Sequence, residues 1–294
     1  MESRVVGRVA RGSKGAGPAR RIYRRSPLRW LRNSVWAKRG LRSSDVFLAS
    51  YPRSGSSWIR FLIMEMFAGE ASFEDFARTV PEIGRHQHAR ALLPGGGRFI
   101  KTHEHFSAGY RRAIHLVRDP RDVAVSYFRY MQRIQKIVLR PGDDEAASFD
   151  CFIDALLAGR IDGFGTWQAH LLSWLDAAES RRVEVLRLRF EDLRADPVSV
   201  TLAIARFLGL ELSAVEAELV AQRSSIEQMR AAEEKAIESG RSRIGQLGRR
   251  SGVRLINSGS VEGWREKLTA DQLARFEAFA EGLARMGYAP AVRA

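Results

Sequence analysis

The chain has 294 residues, 45% of them hydrophobic, which is enough to bury a substantial core, and its single cysteine, Cys151, excludes an intramolecular disulfide. Its formal charge of +14 is unevenly placed: the residues before Asp45 hold thirteen Lys and Arg against Glu2 alone, so 35 basic and 33 acidic residues remain for the rest. The high pI therefore belongs to an arm at 1–44, and the body at 45–294 reads as one nearly neutral α/β domain.

The arm is expected to be a solvated extension without a specific nucleic-acid partner, its charge being suited to non-specific contact with polyanions. Leu28, Trp30, Leu31, Val35 and Trp36 also fit a short amphipathic helix, which would dock on the body or make peripheral contact with a membrane. There is no apolar run of about 18 residues and no secretory-type apolar stretch near Met1, so cytoplasmic residence is the expectation. Nothing in the sequence sets an oligomeric state.

From Asp45 onward, short β-rich runs alternate with helical patterns. Strands are predicted over Val46–Ser50, Phe99–His103, Ala113–Arg118 and Val183–Phe190. Helices are predicted over Ser56–Phe67, Arg121–Gln132, Ser148–Ala158, Thr166–Ala177, Val198–Leu208, Ser213–Ala221 and Ala270–Met286. Cys151 reads as a buried helix position, and Ser239–Gly252 as a Gly/Ser/Arg-rich stretch. Alternation of this kind implies a mostly parallel sheet flanked by helices on both faces, with ligands at the carboxyl ends of the strands.

Two strand-to-helix turns carry the chemistry. In the first, the Val46–Ser50 run feeds Tyr51-Pro52-Arg53-Ser54-Gly55 and then a helix opening at Ser56. Such a turn aims backbone N–H groups and a helix dipole at one point, with Gly55 allowing close approach and Arg53, Ser54, Ser56 and Ser57 adding donors. The competing reading is an ordinary serine-capped turn; the strand before it and the amphipathic helix after it argue for an anion site. It lacks the G-x-x-x-x-G-K-[ST] pattern of a Mg-nucleoside triphosphatase.

In the second turn, an apolar strand ends at Arg118, Asp119 suits a helix cap, and Pro120 suits the first helical position. Ser126 lies about 9 Å along that helix at 1.5 Å per residue, near enough to share a ligand group with Arg118. Alternatively Arg118 makes a surface ion pair beside a well-capped helix. Two anion sites on neighbouring strand ends point to a ligand with phosphates at two places.

Tyr51–Trp58 resembles the 5′-phosphosulfate loop of the sulfotransferases that use 3′-phosphoadenosine 5′-phosphosulfate (PAPS), and Val117–Tyr127 resembles their 3′-phosphate motif. Lys101-Thr102-His103, Phe190-Glu191-Asp192-Leu193, and Gly259 with Gly263-Trp264-Arg265 resemble the family's later blocks, so the likeness spans about 45 to 265. The resemblance implies a P-loop-like three-layer fold and PAPS as co-substrate, with no metal. It implies that His103 is the base acting on an acceptor hydroxyl and that Lys101 and Arg53 stand beside the transferred group. It further implies 5′-phosphate contacts from Ser54, Gly55, Ser56 and Ser57, adenine stacking by Trp58, 3′-phosphate contacts from Arg118 and Ser126, and an adenine neighbour in Ser224. Three departures stand out: Arg53 replaces a Lys, Phe190 replaces a Tyr, and Asn257-Ser258-Gly259 stands where an Arg-Lys-Gly triplet commonly adds a 3′-phosphate contact. Arg249, Arg250 or Arg254 are candidates to replace that charge.

The acceptor is expected to meet Glu70–Gly97, Tyr130–Ser148 and Ser224–Ser260, whose arginines lean toward a glycan-like or anionic hydroxyl compound, with small phenols and alcohols as the alternative. From other classes, Val117-Arg118-Asp119 can also be read as the metal-holding strand end of a nucleotide kinase-like enzyme, and the arm as a non-catalytic nucleic-acid binder.

Overall fold

The computed structural model describes residues 38–134, 137, 144–252 and 254–290. The Leu28–Trp36 helix expected in the arm lies outside the described residues. Four strands, β1 (Val46–Ser50), β2 (Phe99–Thr102), β3 (Arg112–Val117) and β4 (Glu184–Arg189), form one sheet in the order β2-β1-β3-β4. Every pairing is parallel, so all strands deliver their carboxyl ends to the same edge.

Alternation along β1 decides the layers. Val46 and Leu48 face α1 (Ser56–Ala68) and α7 (Pro197–Leu208) in a core containing Phe61, Leu62, Ile114 and Ile204. Phe47 and Ala49 point the other way, onto Trp174 and Ala177 of α5 (Trp167–Glu179). A third cluster lies beyond the strand ends, where Tyr51 and Val117 meet α3 (Pro120–Arg133), α4 (Glu145–Leu157) and the C-terminal helices. The expected three-layer architecture is therefore the observed one. At the opposite end, Arg98 is buried against Asp45 (Nη2 to Oδ2, 2.7 Å) and also donates to Gly40 O at 2.8 Å, tying the chain before β1 to the body.

Most predicted helices differ from the observed ones by one to three residues at an end, within the usual fraying of such boundaries. The Ala270–Met286 helix is interrupted: α11 (Ala270–Arg275) passes into a 3-10 turn at Phe276–Phe279 before α12 (Ala280–Arg285). Phe276 and Phe279, both buried in the third cluster, occupy the break. The sequence pattern missed a short α2 (Phe76–Thr79) and α6 (Phe190–Ala195). It also missed α9 (Ile226–Ser239), which follows α8 (Ala214–Arg223), and α10 (Arg243–Ser251). The last of these replaces the Gly/Ser/Arg-rich stretch: Ser242 caps it, accepting from Gly245 N at 2.9 Å. Cys151 is exposed, contrary to its reading as buried; α4 turns Phe152, Ile153, Ala155 and Leu156 inward instead.

Candidate active site

A cleft of about 500 Å³ opens at the carboxyl edge of the sheet, between the two turns, and is roofed by α9, α10 and the segment 254–260. Arg53, Gly55, Ser56, Ser57, Trp58, Lys101, His103, Arg118, Ser126, Phe190 and Gly259 line it. Ser54 and Ser224, also expected there, are fully buried behind the wall.

The first turn is built from backbone. Arg53 (φ 70°) and Gly55 (φ 99°) are both in the left-handed region, and Gly55 precedes α1 without any side-chain cap. The first-turn amides of α1 thus have no side-chain acceptor, and while Trp58 N donates to Gly55 O at 2.9 Å, those of Ser56 and Ser57 are left for an anion. A Cβ at Gly55 would lie 2.5 Å from the Phe190 ring, so glycine is required by both torsion and space. Phe190 fills the place of an aromatic hydroxyl with packing alone: its ring meets Trp58 edge-on at 6.1 Å and carries the Arg118 guanidinium at 4.3 Å.

The second turn is built from side chains. Asp119 caps α3 through Arg121 N at 2.9 Å and pairs with the buried Arg121 (2.6 Å), so this helix start is already satisfied. What faces the cleft is Arg118, donating to Arg53 O (3.2 Å) and Ser260 O (2.7 Å), and Ser126, accepting from Arg53 Nε at 3.3 Å. The Arg53 guanidinium also rests on the Tyr130 ring at 4.7 Å.

At the end of β2, His103 Nδ1 lies 2.6 Å from Ser50 O. A carbonyl only accepts, so Nδ1 carries the proton, and the neutral ring keeps an open lone pair on Nε2. Burial, reinforced by the Lys101 charge, lowers the His103 pKa to about 3. Lys101 itself is lowered by burial, while Glu82, 2.9 Å from Lys101 Nζ, is held to about 2 chiefly by the Lys101 charge. Glu82 lines the cleft and was not legible in the sequence, because only the chain's crossing beside Lys101 brings it there.

Several buried polar atoms have no protein partner: Ser54 Oγ, Trp58 Nε1, Arg118 Nε and Ser224 Oγ. Two turns that each carry a cation and a hydroxyl, unpartnered donors around them and a glycine cradle form a donor set suited to a ligand rich in phosphate oxygens. The expected substitutes for the missing C-terminal charge do not reach this place. Arg254 pairs with Glu234 at 2.7 Å, and Arg249 donates to Ile237 O at 2.7 Å; Arg250 is exposed and does not line the cleft. Among the described residues, no three His, Cys, Asp or Glu side chains are grouped as metal ligands would be.

The sulfotransferase domain family model matches residues 43–287, and the chain belongs to that family of PAPS-dependent sulfotransferases. Mouse sulfotransferase 2A1 is 27% identical over 286 residues, covering 92% of this chain and 93% of the relative. In architecture, the chain is similar to mouse sulfotransferase SULT7A1 complexed with PAP (TM-score 0.63, 24% identity, 85% and 87% of the two chains). It is likewise similar to retinol dehydratase in complex with retinol and PAP (TM-score 0.65, 19% identity, 90% and 88%). The protein is accordingly a sulfotransferase, and this assignment displaces the kinase-like and non-catalytic alternatives.

Proposed function

We propose that the cleft transfers a sulfuryl group from PAPS to a hydroxyl of an apolar alcohol or phenol, leaving a sulfate ester and adenosine 3′,5′-bisphosphate, with His103 as the base. PAPS supplies the activated sulfuryl group and its leaving phosphate. The chain supplies the rest. The carrying observation is the His103 Nδ1 contact to Ser50 O at 2.6 Å, which leaves Nε2 free to take the acceptor proton. Lys101 and Arg53 concentrate positive charge beside that nitrogen, where negative charge grows on oxygen during transfer. Burial is the main cause of the lowered His103 pKa and the Lys101 charge the second; an anion held at Lys101 offsets that second cause and shifts the His103 basicity upward.

The 5′ side of the donor fits the uncapped amides of α1 with Ser56 and Ser57; the 3′ side fits Arg118 and Ser126; Trp58 offers a flat wall for adenine. The acceptor side supports an apolar partner over a glycan-like one: Phe164 lies 5.5 Å from the His103 ring, and Tyr130, Ile244 and Leu247 continue the wall, with Arg243 an exposed cation beside them. The retinol and androsterone complexes of retinol dehydratase are examples of such ligands on the same fold. The arm is assigned a role peripheral to transfer, in the cytoplasm or at a membrane surface; among the described residues no helix is long and apolar enough to cross a membrane.

The test is incubation of the purified protein with radiolabelled PAPS and a panel of hydroxysteroids, phenols and oligosaccharides. Label should enter the apolar alcohols or phenols. Label appearing only in the oligosaccharides would overturn the acceptor reading, and no transfer to any compound despite PAPS binding would count against the role given to His103.

A further inference from the structure

Four arginines from different elements converge on the segment 254–260. Arg53 donates to Leu255 O at 3.3 Å, Arg118 to Ser260 O at 2.7 Å, and Arg230 of α9 to Asn257 O at 3.1 Å. Arg133, at the end of α3, donates to Arg254 O at 3.1 Å and to the side-chain oxygen of Asn257. Every one of these acceptors is a neutral oxygen, and among the described residues none of the four forms a salt bridge with a carboxylate. Arginines elsewhere in the molecule do pair, as Arg98, Arg121 and Arg285 show. The N–H edge of the segment is held by the buried Glu233, whose carboxylate accepts from Leu255 and from Ile256 (3.1 Å). Its carbonyl edge is thus turned toward a line of positive charge with which, among the described residues, no carboxylate forms a salt bridge.

Like charges gathered around neutral acceptors are a place where an anion gains several charge-assisted hydrogen bonds at once. Arg53 and Arg118 belong to the two turns already described; Arg133 does not. Ser126, Tyr130 and Arg133 follow one another at helical spacing on one face of α3, and Tyr130 carries the Arg53 guanidinium. Long side chains on a helix lean toward its N-terminus, which for Arg133 is the direction of Ser126. The residue that Arg133 holds, Asn257, lines the cleft, two positions before Gly259.

We propose that Arg133 is a donor-specificity residue: it exchanges the oxygens of Arg254 and Asn257 for the phosphate at the ribose 3′ position. This rests on the PAPS reading above. Arg133 then supplies from α3 the charge that Asn257-Ser258 does not supply from the segment itself, and a guanidinium grown from position 257 would arrive at the same place.

The experiment is titration calorimetry with adenosine 3′,5′-bisphosphate and with adenosine 5′-monophosphate. Arg133→Ala should weaken the bisphosphate by about tenfold or more, the scale of one charge-assisted hydrogen bond, and change the monophosphate by less than about twofold. In the Arg133→Ala background, Asn257→Arg should restore the preference for the bisphosphate. Unchanged bisphosphate affinity in Arg133→Ala overturns the proposal. Equal losses for both nucleotides also overturn it, since they would mark Arg133 as a brace for the segment. Failure of the unsubstituted protein to bind the bisphosphate would instead sink the PAPS reading, a result separable from the other two.

Discussion

In the proposed arrangement the two turns hold negative charge by opposite means. At Tyr51–Trp58 the grip comes from main-chain geometry: two residues at positive φ and a helix that starts without a cap. At Arg118–Ser126 the helix start is closed by Asp119, and only side chains reach into the cleft. An amide-built site is sensitive to backbone shape and tolerant of losing one hydroxyl, because its donors are redundant. A side-chain-built site is tolerant of shape and sensitive to the loss of one guanidinium. This difference also explains why charge accumulates around the second turn, where arginines from α9, from the end of α3 and from the first loop supply what the capped helix does not.

The largest effect is expected at the junction with the chemistry. His103 is fixed by Ser50 at the mouth of the amide-built turn but binds no part of either phosphate in the proposed arrangement. His103→Ala should lower turnover by about 10² to 10⁴, the range of general-base catalysis, while product affinity by calorimetry stays near that of the unsubstituted protein. A folded variant that keeps its turnover would remove His103 from the mechanism. Next comes the side-chain-built turn: Arg118→Ala should cost about 1.5 to 3 kcal/mol of binding to adenosine 3′,5′-bisphosphate, with adenosine 5′-monophosphate much less affected. If both nucleotides weaken alike, Arg118 acts by bracing Arg53 O and Ser260 O, and the contrast between the turns fails.

The same contrast accounts for what was legible in the sequence. Strand, turn and helix follow one another within a dozen residues at each site, so local pattern was sufficient to place Gly55, Arg118 and Ser126. The four strands and the layers follow from apolar runs that must be covered on both faces. Glu82 and Glu233 left no comparable trace, because each reaches the cleft by a tertiary approach with no motif: Glu82 through a single bridge to Lys101, Glu233 through the backbone of a segment more than twenty residues away. The Gly and Arg content of α10 hid a helix whose Ile244 and Leu247 face the cleft while Arg249 turns onto the end of α9 and Arg250 is exposed. Cys151 failed for the converse reason: its apolar neighbours are buried, but it lies on the outer side of the same helix.

The smallest effect separates the turns by pH. His103 at the first turn, and His115 inside the sheet beneath it, are both lowered by burial from 6.5 to about 3, so the unfolded chain binds their protons more readily than the folded one. Stability therefore falls as pH drops below about 6.5, by about 2 kcal/mol per histidine between pH 7 and pH 5. Asp122 at the second turn behaves in the opposite sense: burial raises it from 3.8 to about 6, despite the Arg118 charge and the Glu262 and Trp264 amides. Its cost is present above about 6 and is relieved on acidification, by about 1.4 kcal/mol over the same interval. The two histidines outweigh it, and thermal unfolding should show a lower midpoint at pH 5 than at pH 7. His103→Ala should flatten that dependence and Asp122→Asn should steepen it, because the first removes a group that acid destabilises and the second removes the group that acid relieves. A dependence that both substitutions leave unchanged would mean that neither turn titrates as its burial requires.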